Sequence, residues 1–415
     1  MDRLAGSIPE GARLDPVAVA VRPALPRIAR IARPRRWLLG LYVASALLVT
    51  LQQGVLRPSN NFRVFRSATI NLLAGRDLYA AHPEQHFDYY KYSPTFALLF
   101  APLAYLPFAL AFFCWSLLNA LLLWYALERL LPRREATLAL GLLYLEVLFA
   151  MQYGQSNALV AALMVLAFVA LERSRQLEAA IELALGASIK LFPLALLPVA
   201  VLHPRRARFG LLFLGVVTAL VVLPLLAVPA PELVAQYRSW RAIEASDTLN
   251  RGYSLMQYLY MTLGTDWPNW PAQFAGTALL VAPLALGRRG GRWSDAAFRR
   301  LVLCSVLVYV VLFNHQSERA TFVIAYTGIV VWCVSSESSR LKTAILALTL
   351  LVMVVHDVDI VPRWVKSEIL IPYRIKGIPC LVAWCAMQVE LWATALRSES
   401  AGSSLAGTAP EPRGA

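Results

Sequence analysis

Long apolar runs separated by short basic clusters are the feature of this sequence that most constrains its fold. The runs are about 15 to 23 residues long, close to the length of helix that crosses a bilayer. They are rich in Leu, Ala and Val and do not alternate with polar residues, as the strands of a membrane barrel would. Helices, which satisfy their own backbone hydrogen bonds in the membrane, are therefore predicted. Charged residues are only 15% of the chain. The sequence therefore predicts an all-α polytopic transmembrane helical bundle, with about 10 to 12 transmembrane helices plus short re-entrant or interfacial helices.

The arginines before the first run set the predicted orientation. Residues 1–36 contain eight arginines, which places this basic tail in the cytoplasm by the positive-inside rule. Residues 37–396 then form a single transmembrane domain of the plasma (inner) membrane, and the Ser/Gly/Ala-rich segment 397–415 a disordered cytoplasmic C-terminal tail. The predicted crossings are 37–56, 108–131, 137–151, 158–172, 209–228, 271–287, 300–313, 320–334, 342–356 and 377–396.

Two apolar segments do not fit a single crossing. Residues 94–107 are too short to span and predict a half-helix or re-entrant element. Residues 180–202 have positive charge on both sides and are interrupted by Pro193 and Pro198, which favours a hairpin of two short helices with Lys190 near the break.

Four segments are predicted to lie outside the membrane and to carry most of the polar chemistry. They are residues 57–93, 229–270, 314–319 and 357–376. Within the first, apolar residues at helical spacing predict an amphipathic helix over 62–74 on the outer interface, ended by Gly75.

Several classes of function are disfavoured. The chain has no phosphate-binding glycine loop, HExxH motif or nucleophile elbow. Its net charge of +14 is spread over helix ends, so a nucleic-acid partner is not expected. The five cysteines lie in apolar segments and indicate no disulfide framework. We predict no cofactor; a divalent metal stays open, although Pro83 between His82 and His86 argues against a helical metal pair.

Carboxylates and cations coincide in the outer loops. A carboxylate can take the proton of an acceptor hydroxyl, and cations can stabilise a departing phosphate. The catalytic candidates are Asp77, Glu84 and Asp88, and the substrate-binding candidates are Asn61, Arg63, Arg66, Lys91, Lys190, His315, Glu318 and Arg319. Simple solvation is the alternative for each loop carboxylate, lipid headgroup contact for Arg63 and Arg66, and snorkelling for Lys190.

Five short motifs appear in a characteristic order: GRDLY (75–79), KYSPTFALLFAPLAYLP (91–107), QYGQSNAL (152–159), IKLFPLALLP (189–198) and NHQSE (314–318). Together they resemble glycosyltransferase family 87 of the C-type membrane superfamily, over roughly residues 57–335. The resemblance implies a polyprenyl-phosphate sugar donor, a catalytic carboxylate in the first outer loop, and supporting positions for His315 and Glu318.

The sequence departs from the family pattern after the first crossing. Members usually carry an acidic residue before an aromatic there, whereas this chain has Asn60 and Asn61 before Phe62. Asn cannot act as a base, so either the base lies at Asp77, Glu84 or Asp88, or the branch is inactive. Asp88 is favoured because it immediately precedes the re-entrant element.

Three functions follow from these features. The first is transfer of a hexose, with mannose expected, from a polyprenyl-phosphate donor to a lipid or glycan acceptor on the outer face, with membrane lipids as further partners. The second is a transporter or flippase for a lipid-linked anionic substrate, suggested by Lys190 in a broken hairpin. The third is a catalytically silent envelope-assembly protein, suggested by Asn61.

Overall fold

The computed structural model of the protein describes residues 35–247, 250–264 and 266–397. These residues form helices joined by turns and loops, and no strand occurs among them. The polytopic all-helical fold predicted from the apolar runs is confirmed. The tails predicted at 1–36 and 397–415 lie almost entirely outside the described residues.

The described ranges contain eighteen α-helices. They are α1 (Arg35–Thr50), α2 (Asn60–Leu73), α3 (Pro94–Leu99), α4 (Ala101–Ala104), α5 (Phe108–Leu130), α6 (Arg133–Tyr153), α7 (Asn157–Glu172), α8 (Gln176–Ile189), α9 (Leu197–Leu202), α10 (Arg206–Val222), α11 (Ala230–Ser246), α12 (Leu255–Leu263), α13 (Trp270–Arg289), α14 (Ala296–Leu312), α15 (Phe322–Ser335), α16 (Arg340–Asp357), α17 (Arg363–Val365) and α18 (Ile378–Leu396).

Every predicted crossing coincides with a helix, but the helices differ in length. By length and composition, six described helical stretches can cross a membrane: Arg35–Leu56, Phe108–Leu130, Arg133–Tyr153, Arg206–Leu226, Trp270–Arg289 and Ile375–Leu396. The predicted crossings at 158–172, 300–313, 320–334 and 342–356 form helices of 14 to 18 residues. Six described stretches are therefore both long and apolar enough to cross a membrane by length and composition, and the other four predicted crossings are shorter or carry more charge.

Two of the shorter helices form the centre of the bundle. Almost every residue of α7 and α15 is buried, as expected for helices that are apolar all round. Helix α7 packs against α5 and α8, and α15 packs against α14 and α6. By contrast, Phe209 is the one buried residue of α10, whose apolar surface is left for lipid. The short central helices need not match the bilayer because protein surrounds them.

Prolines and caps explain the broken segments. Ser93 caps α3 by accepting a hydrogen bond from the Phe96 amide at 3.1 Å, with Pro94 at the first helical position. Helix α8 ends at Ile189, and the chain continues through a 3-10 turn over Phe192–Leu196 into α9. The predicted helix break beside Lys190 is present, since Pro193 cannot donate to a continuing helix.

The amphipathic helix predicted over 62–74 is α2, followed by Gly75 with a φ of 66°. Its apolar face does not lie on lipid, however. Phe62 is fully buried and its ring contacts those of Phe100, Phe108 and Phe112 at 5.2 to 5.5 Å. The helix therefore packs into the bundle, because α3, α4 and α5 fold over its apolar side.

The three long loops meet at one end of the bundle, which we call the loop end. Gln236 of α11 donates to the Arg76 carbonyl, Gln316 donates to Glu244 of α11, and the Tyr258 hydroxyl donates to the Arg374 carbonyl. These contacts bring the segments 57–93, 229–270, 314–319 and 357–376 together. The polar segments thus form one continuous layer over the helices.

Candidate active site at the loop end

A cavity of about 350 Å³ lies at the loop end. Its walls come from α2, from the segment before α3, from the break after α8, from α11, and from the turn after α14. Its polar lining residues are Asn61, Asp88, Tyr89, Lys91, Tyr92, Gln155, Lys190, Trp240, Glu244, Asn250, Gln273, Tyr309, Asn314, His315, Gln316 and Glu318. Most of the polar motifs of the sequence therefore converge on one space.

Six of the eleven candidate residues line this cavity: Asn61, Asp88, Lys91, Lys190, His315 and Glu318. The other five do not line it. Arg63 is exposed on α2, and the Arg66 guanidinium lies over the Phe108 ring. Arg319 faces two neighbouring pockets. The sequence thus predicted the region of the site better than its individual members.

Asp77 and Glu84 have other surroundings. The Asp77 carboxylate accepts hydrogen bonds from the Tyr79 amide at 3.0 Å and from the Ser239 hydroxyl at 3.1 Å, so it ties the first loop to α11. Glu84 is exposed, 3.8 Å from the His82 ring. The described residues contain no cluster of three or more His, Cys, Asp or Glu side chains suited to a metal ion.

Asp88 has an exposed carboxylate at the rim of the cavity. One of its oxygens, Oδ1, accepts from the Tyr89 amide at 2.8 Å. No described side chain forms an ion pair with it. Oδ2 is therefore left to accept a proton or a hydrogen bond from a molecule in the cavity.

Lys190 is the cation at the base of the cavity. Its Nζ donates to Asn157 Oδ1 at 2.8 Å and lies 5.8 Å from the centre of the Tyr92 ring. No carboxylate of the described residues lies within ion-pair distance of this ammonium. Since withdrawing a charge from water without a counterion is costly, the arrangement favours an anion in the cavity beside this partly buried ammonium.

A chain of side-chain hydrogen bonds connects Lys190 to Glu318. Asn157 Nδ2 donates to Gln155 Oε1 at 2.6 Å, and Gln155 Nε2 donates to Glu318 Oε2 at 2.6 Å. Each amide turns its oxygen towards the ammonium and its nitrogen towards the carboxylate. This polarity orients Glu318 at the cavity wall. Gln155 and Asn157 belong to the QYGQSNAL motif, but their joint role depends on a contact with the distant Glu318.

Lys91 and α11 form a second group of charges. Lys91 Nζ lies 2.5 Å from Asp247 Oδ2, and Gln316 donates to Glu244 at 3.1 Å and to Asp247 at 3.2 Å. Burial raises the pKa of the Glu244 carboxyl above its usual value. Lys91 is therefore partly neutralised, whereas Glu244 is a carboxylate of increased basicity inside the cavity.

Glu244 is not among the residues predicted from the sequence, because the sequence indicates only a polar loop over 229–270. The signal available was the spacing of Trp240 and Glu244, four residues apart after Pro229 and Pro231, which suits one face of a helix. His315 was found, and it is half-buried in the cavity wall. Burial lowers the pKa of its imidazole, so the neutral ring is favoured there.

Gly154 fixes the position of the GQSN turn relative to α2. It has a φ of 63°, and a Cβ placed on it would come within 2.8 Å of Ser59 Oγ. Its carbonyl accepts from Trp115 Nε1, and the neighbouring Tyr153 carbonyl accepts from Asn61 Nδ2 at 2.8 Å. Only glycine fits this left-handed, crowded position without strain.

Comparison with known proteins supports a specific family. The model of glycosyltransferase family 87 matches residues 90–314, which is more than half of the chain. The matched region contains Lys91, Lys190 and Glu244. No curated protein matches the sequence.

Proposed function

Since the chain belongs to glycosyltransferase family 87, and is thus a membrane glycosyltransferase, we propose that it transfers a hexose from a polyprenyl-phosphate donor to a lipid or glycan acceptor. Mannose is the proposed sugar. The outer face of the plasma membrane is the proposed site of reaction, with both termini in the cytoplasm.

One observation carries this proposal: a single cavity contains a carboxylate with a free oxygen, Asp88, and a partly buried ammonium without a counterion among the described residues, Lys190. Glycosyl transfer needs a base for the acceptor hydroxyl and positive charge for the leaving phosphate. The break after α8 presents Lys190 beside apolar residues, where a lipid-linked phosphate can approach from the bilayer. The cavity thus contains both kinds of group that the proposed transfer needs.

The acceptor hydroxyl oxygen forms a bond to the anomeric carbon of the donor as the bond from that carbon to the phosphate oxygen breaks. Asp88 takes the hydroxyl proton, and polyprenyl phosphate leaves with the bonding electron pair, stabilised by Lys190. Glu244 is the second candidate for the base because its pKa is raised. His315 and Glu318 are proposed to position the donor or the acceptor by hydrogen bonding.

The direct test is transfer by the purified, full-length protein. Polyprenyl-phosphate mannose and polyprenyl-phosphate glucose are supplied separately with extracted membrane lipids or glycans as acceptors, and labelled product is counted. We expect turnover with at least one donor. A monodisperse, thermally cooperative sample that turns over none of them would contradict the proposal and would favour the silent envelope-assembly alternative suggested by Asn61.

Variants of Lys190 distinguish sugar transfer from the alternative function of lipid transport. We expect Lys190→Met to lower the transfer rate about 100-fold, since loss of one group that stabilises transition-state charge has an effect of this order. Lys190→Arg should recover part of it. Transport of an intact lipid-linked anion predicts a different pattern, in which Lys190→Ala abolishes movement across vesicles and Asp88→Asn is tolerated. That pattern, measured with a labelled lipid in proteoliposomes, would overturn the transferase assignment.

A further inference from the structure

A second chamber of about 490 Å³ lies beside the active-site cavity at the loop end. We call it the lateral chamber. Its apolar lining comes from Leu145, Leu148 and Phe149 of α6 and includes Leu370. Its polar lining includes Arg319 and His356. The lateral chamber is thus amphipathic, and none of the groups proposed for the transfer step lines it.

His356 is buried in the lateral chamber with an unused ring nitrogen. Only 4% of the residue is exposed. Its Nδ1 lies 2.9 Å from Asp357 Oδ1, while Asp357 Oδ2 accepts from Lys376 at 2.6 Å. Because an ionised carboxylate only accepts, Nδ1 donates to Asp357, which leaves Nε2 as the ring atom available for a further hydrogen bond. Nε2 has no hydrogen-bond partner in the part of the chain that the structure describes.

Arg319 supplies a cation to the same chamber. Its guanidinium lies over the Tyr153 ring at 5.5 Å, and within the described ranges it makes no hydrogen bond or ion pair. Lys366, also at this chamber, is already paired with Asp359 at 2.6 Å. Arg319 therefore has donors in fixed positions for an anionic oxygen, a geometry that suits phosphate.

The apolar wall indicates what accompanies the anion. Leu145, Leu148 and Phe149 are partly exposed on a helix long enough to cross the membrane. A hydrocarbon chain beside α6 would cover them while the polar groups stay at the loop end. Free phosphate would leave this wall uncovered.

We propose that the lateral chamber binds the headgroup of an anionic lipid that also carries a hydroxyl. Its phosphate contacts Arg319, its hydroxyl forms a hydrogen bond with His356 Nε2, and its chain lies along α6. This inference does not depend on the transfer reaction, and its test requires no turnover.

Lipid binding to the full-length protein in detergent can be followed by native mass spectrometry. Phosphatidylglycerol, phosphatidylethanol and phosphatidylcholine with identical acyl chains serve as probes. The first has a net negative phosphate and hydroxyls, the second lacks the hydroxyls, and the third has neither net charge nor hydroxyl. We expect phosphatidylglycerol to bind about tenfold more tightly than phosphatidylcholine, the size of effect expected for one hydrogen bond to a charged group.

Two variants test the phosphate contact and the hydroxyl contact separately. Arg319→Gln should lower the affinity for both anionic lipids about tenfold. His356→Asn keeps a donor towards Asp357 but removes Nε2. It should therefore weaken the binding of phosphatidylglycerol and leave the binding of phosphatidylethanol unchanged. Arg238→Gln, an exposed arginine of α11, is the matched control and should change nothing.

Three results would overturn the proposal. They are equal affinity for phosphatidylglycerol and phosphatidylcholine, unchanged binding in both Arg319→Gln and His356→Asn, and release of phosphatidylglycerol by an equal concentration of inorganic phosphate. The last would identify a free anion as the ligand. None of these outcomes bears on whether the protein transfers a sugar, so a failure here and a failure of the transfer assay are distinguishable.

Discussion

Asp88→Asn is expected to lower the transfer rate by a factor of about 10² to 10⁴, the usual contribution of a general base. The asparagine oxygen can still accept the hydrogen bond that the Tyr89 amide donates to Asp88 Oδ1, so the rim of the cavity should keep its shape. What is lost is the ability to take a proton. Because donor binding does not need that proton transfer, the loss should appear in kcat, with KM for the donor little changed.

Two comparisons make this result specific. Glu232→Gln removes another exposed carboxylate of the loop end and should leave the rate unchanged. Glu244→Gln should lower the rate by less than Asp88→Asn. If Glu244→Gln has the larger effect, with Asp88→Asn near the rate of the unmodified protein, the base is Glu244 and the assignment to Asp88 is wrong. The same measurement on Glu84→Gln tests that sequence candidate.

The apolar runs allowed most helices to be predicted, because each long run has one low-energy arrangement in a bilayer. The helix break beside Lys190 could also be anticipated, since Pro193 and Pro198 exclude a continuous helix. The surroundings of the shorter runs could not be predicted. Whether a run of about 15 residues faces lipid or is surrounded by protein, as α7 is, depends on its neighbours and not on its own composition.

Only part of the candidate site could be predicted, because the surroundings of a loop residue also depend on its neighbours in the fold. Asp77 and Asp88 are both exposed loop carboxylates eleven positions apart. Asp77 nevertheless accepts a hydrogen bond from Ser239, whereas Asp88 lines the cavity. Local sequence does not distinguish these surroundings. Glu244 was missed because it reaches the cavity only through the packing of α11 on the first loop, which is a long-range contact.

The buried charges below the lateral chamber are the feature least visible in the sequence. Lys376 and Glu146 are fully buried, and the side chain of Asp357 is nearly so. The Lys376 ammonium lies 2.8 Å from Glu146 and 2.6 Å from Asp357. Glu146 occurs within an apolar run and Lys376 in a predicted loop 230 positions later, so only the fold pairs them.

Lys376→Met is therefore expected to destabilise the protein severely. It leaves two carboxylates buried without a cation, and breaking a buried ion pair in this way costs about 3 to 5 kcal/mol. The folded fraction should fall in fluorescence-detected size-exclusion chromatography after heating, with the transition moved to much lower temperature. Lys366→Met is the control: its partner Asp359 is almost fully exposed, and surface pairs contribute about 0 to 1 kcal/mol.

Rescue distinguishes loss of charge balance from loss of packing. Glu146→Gln combined with Lys376→Met removes one of the two unpaired charges while keeping nearly the same volume, so the double variant should be more stable than Lys376→Met alone. A purely steric role for Lys376 predicts no such recovery, since methionine fills similar space among the Phe149, Phe322 and Tyr326 rings. A Lys376→Met protein as stable as the unmodified chain would show that the buried carboxylates do not depend on this ammonium, and that their charge is neutralised by protons instead.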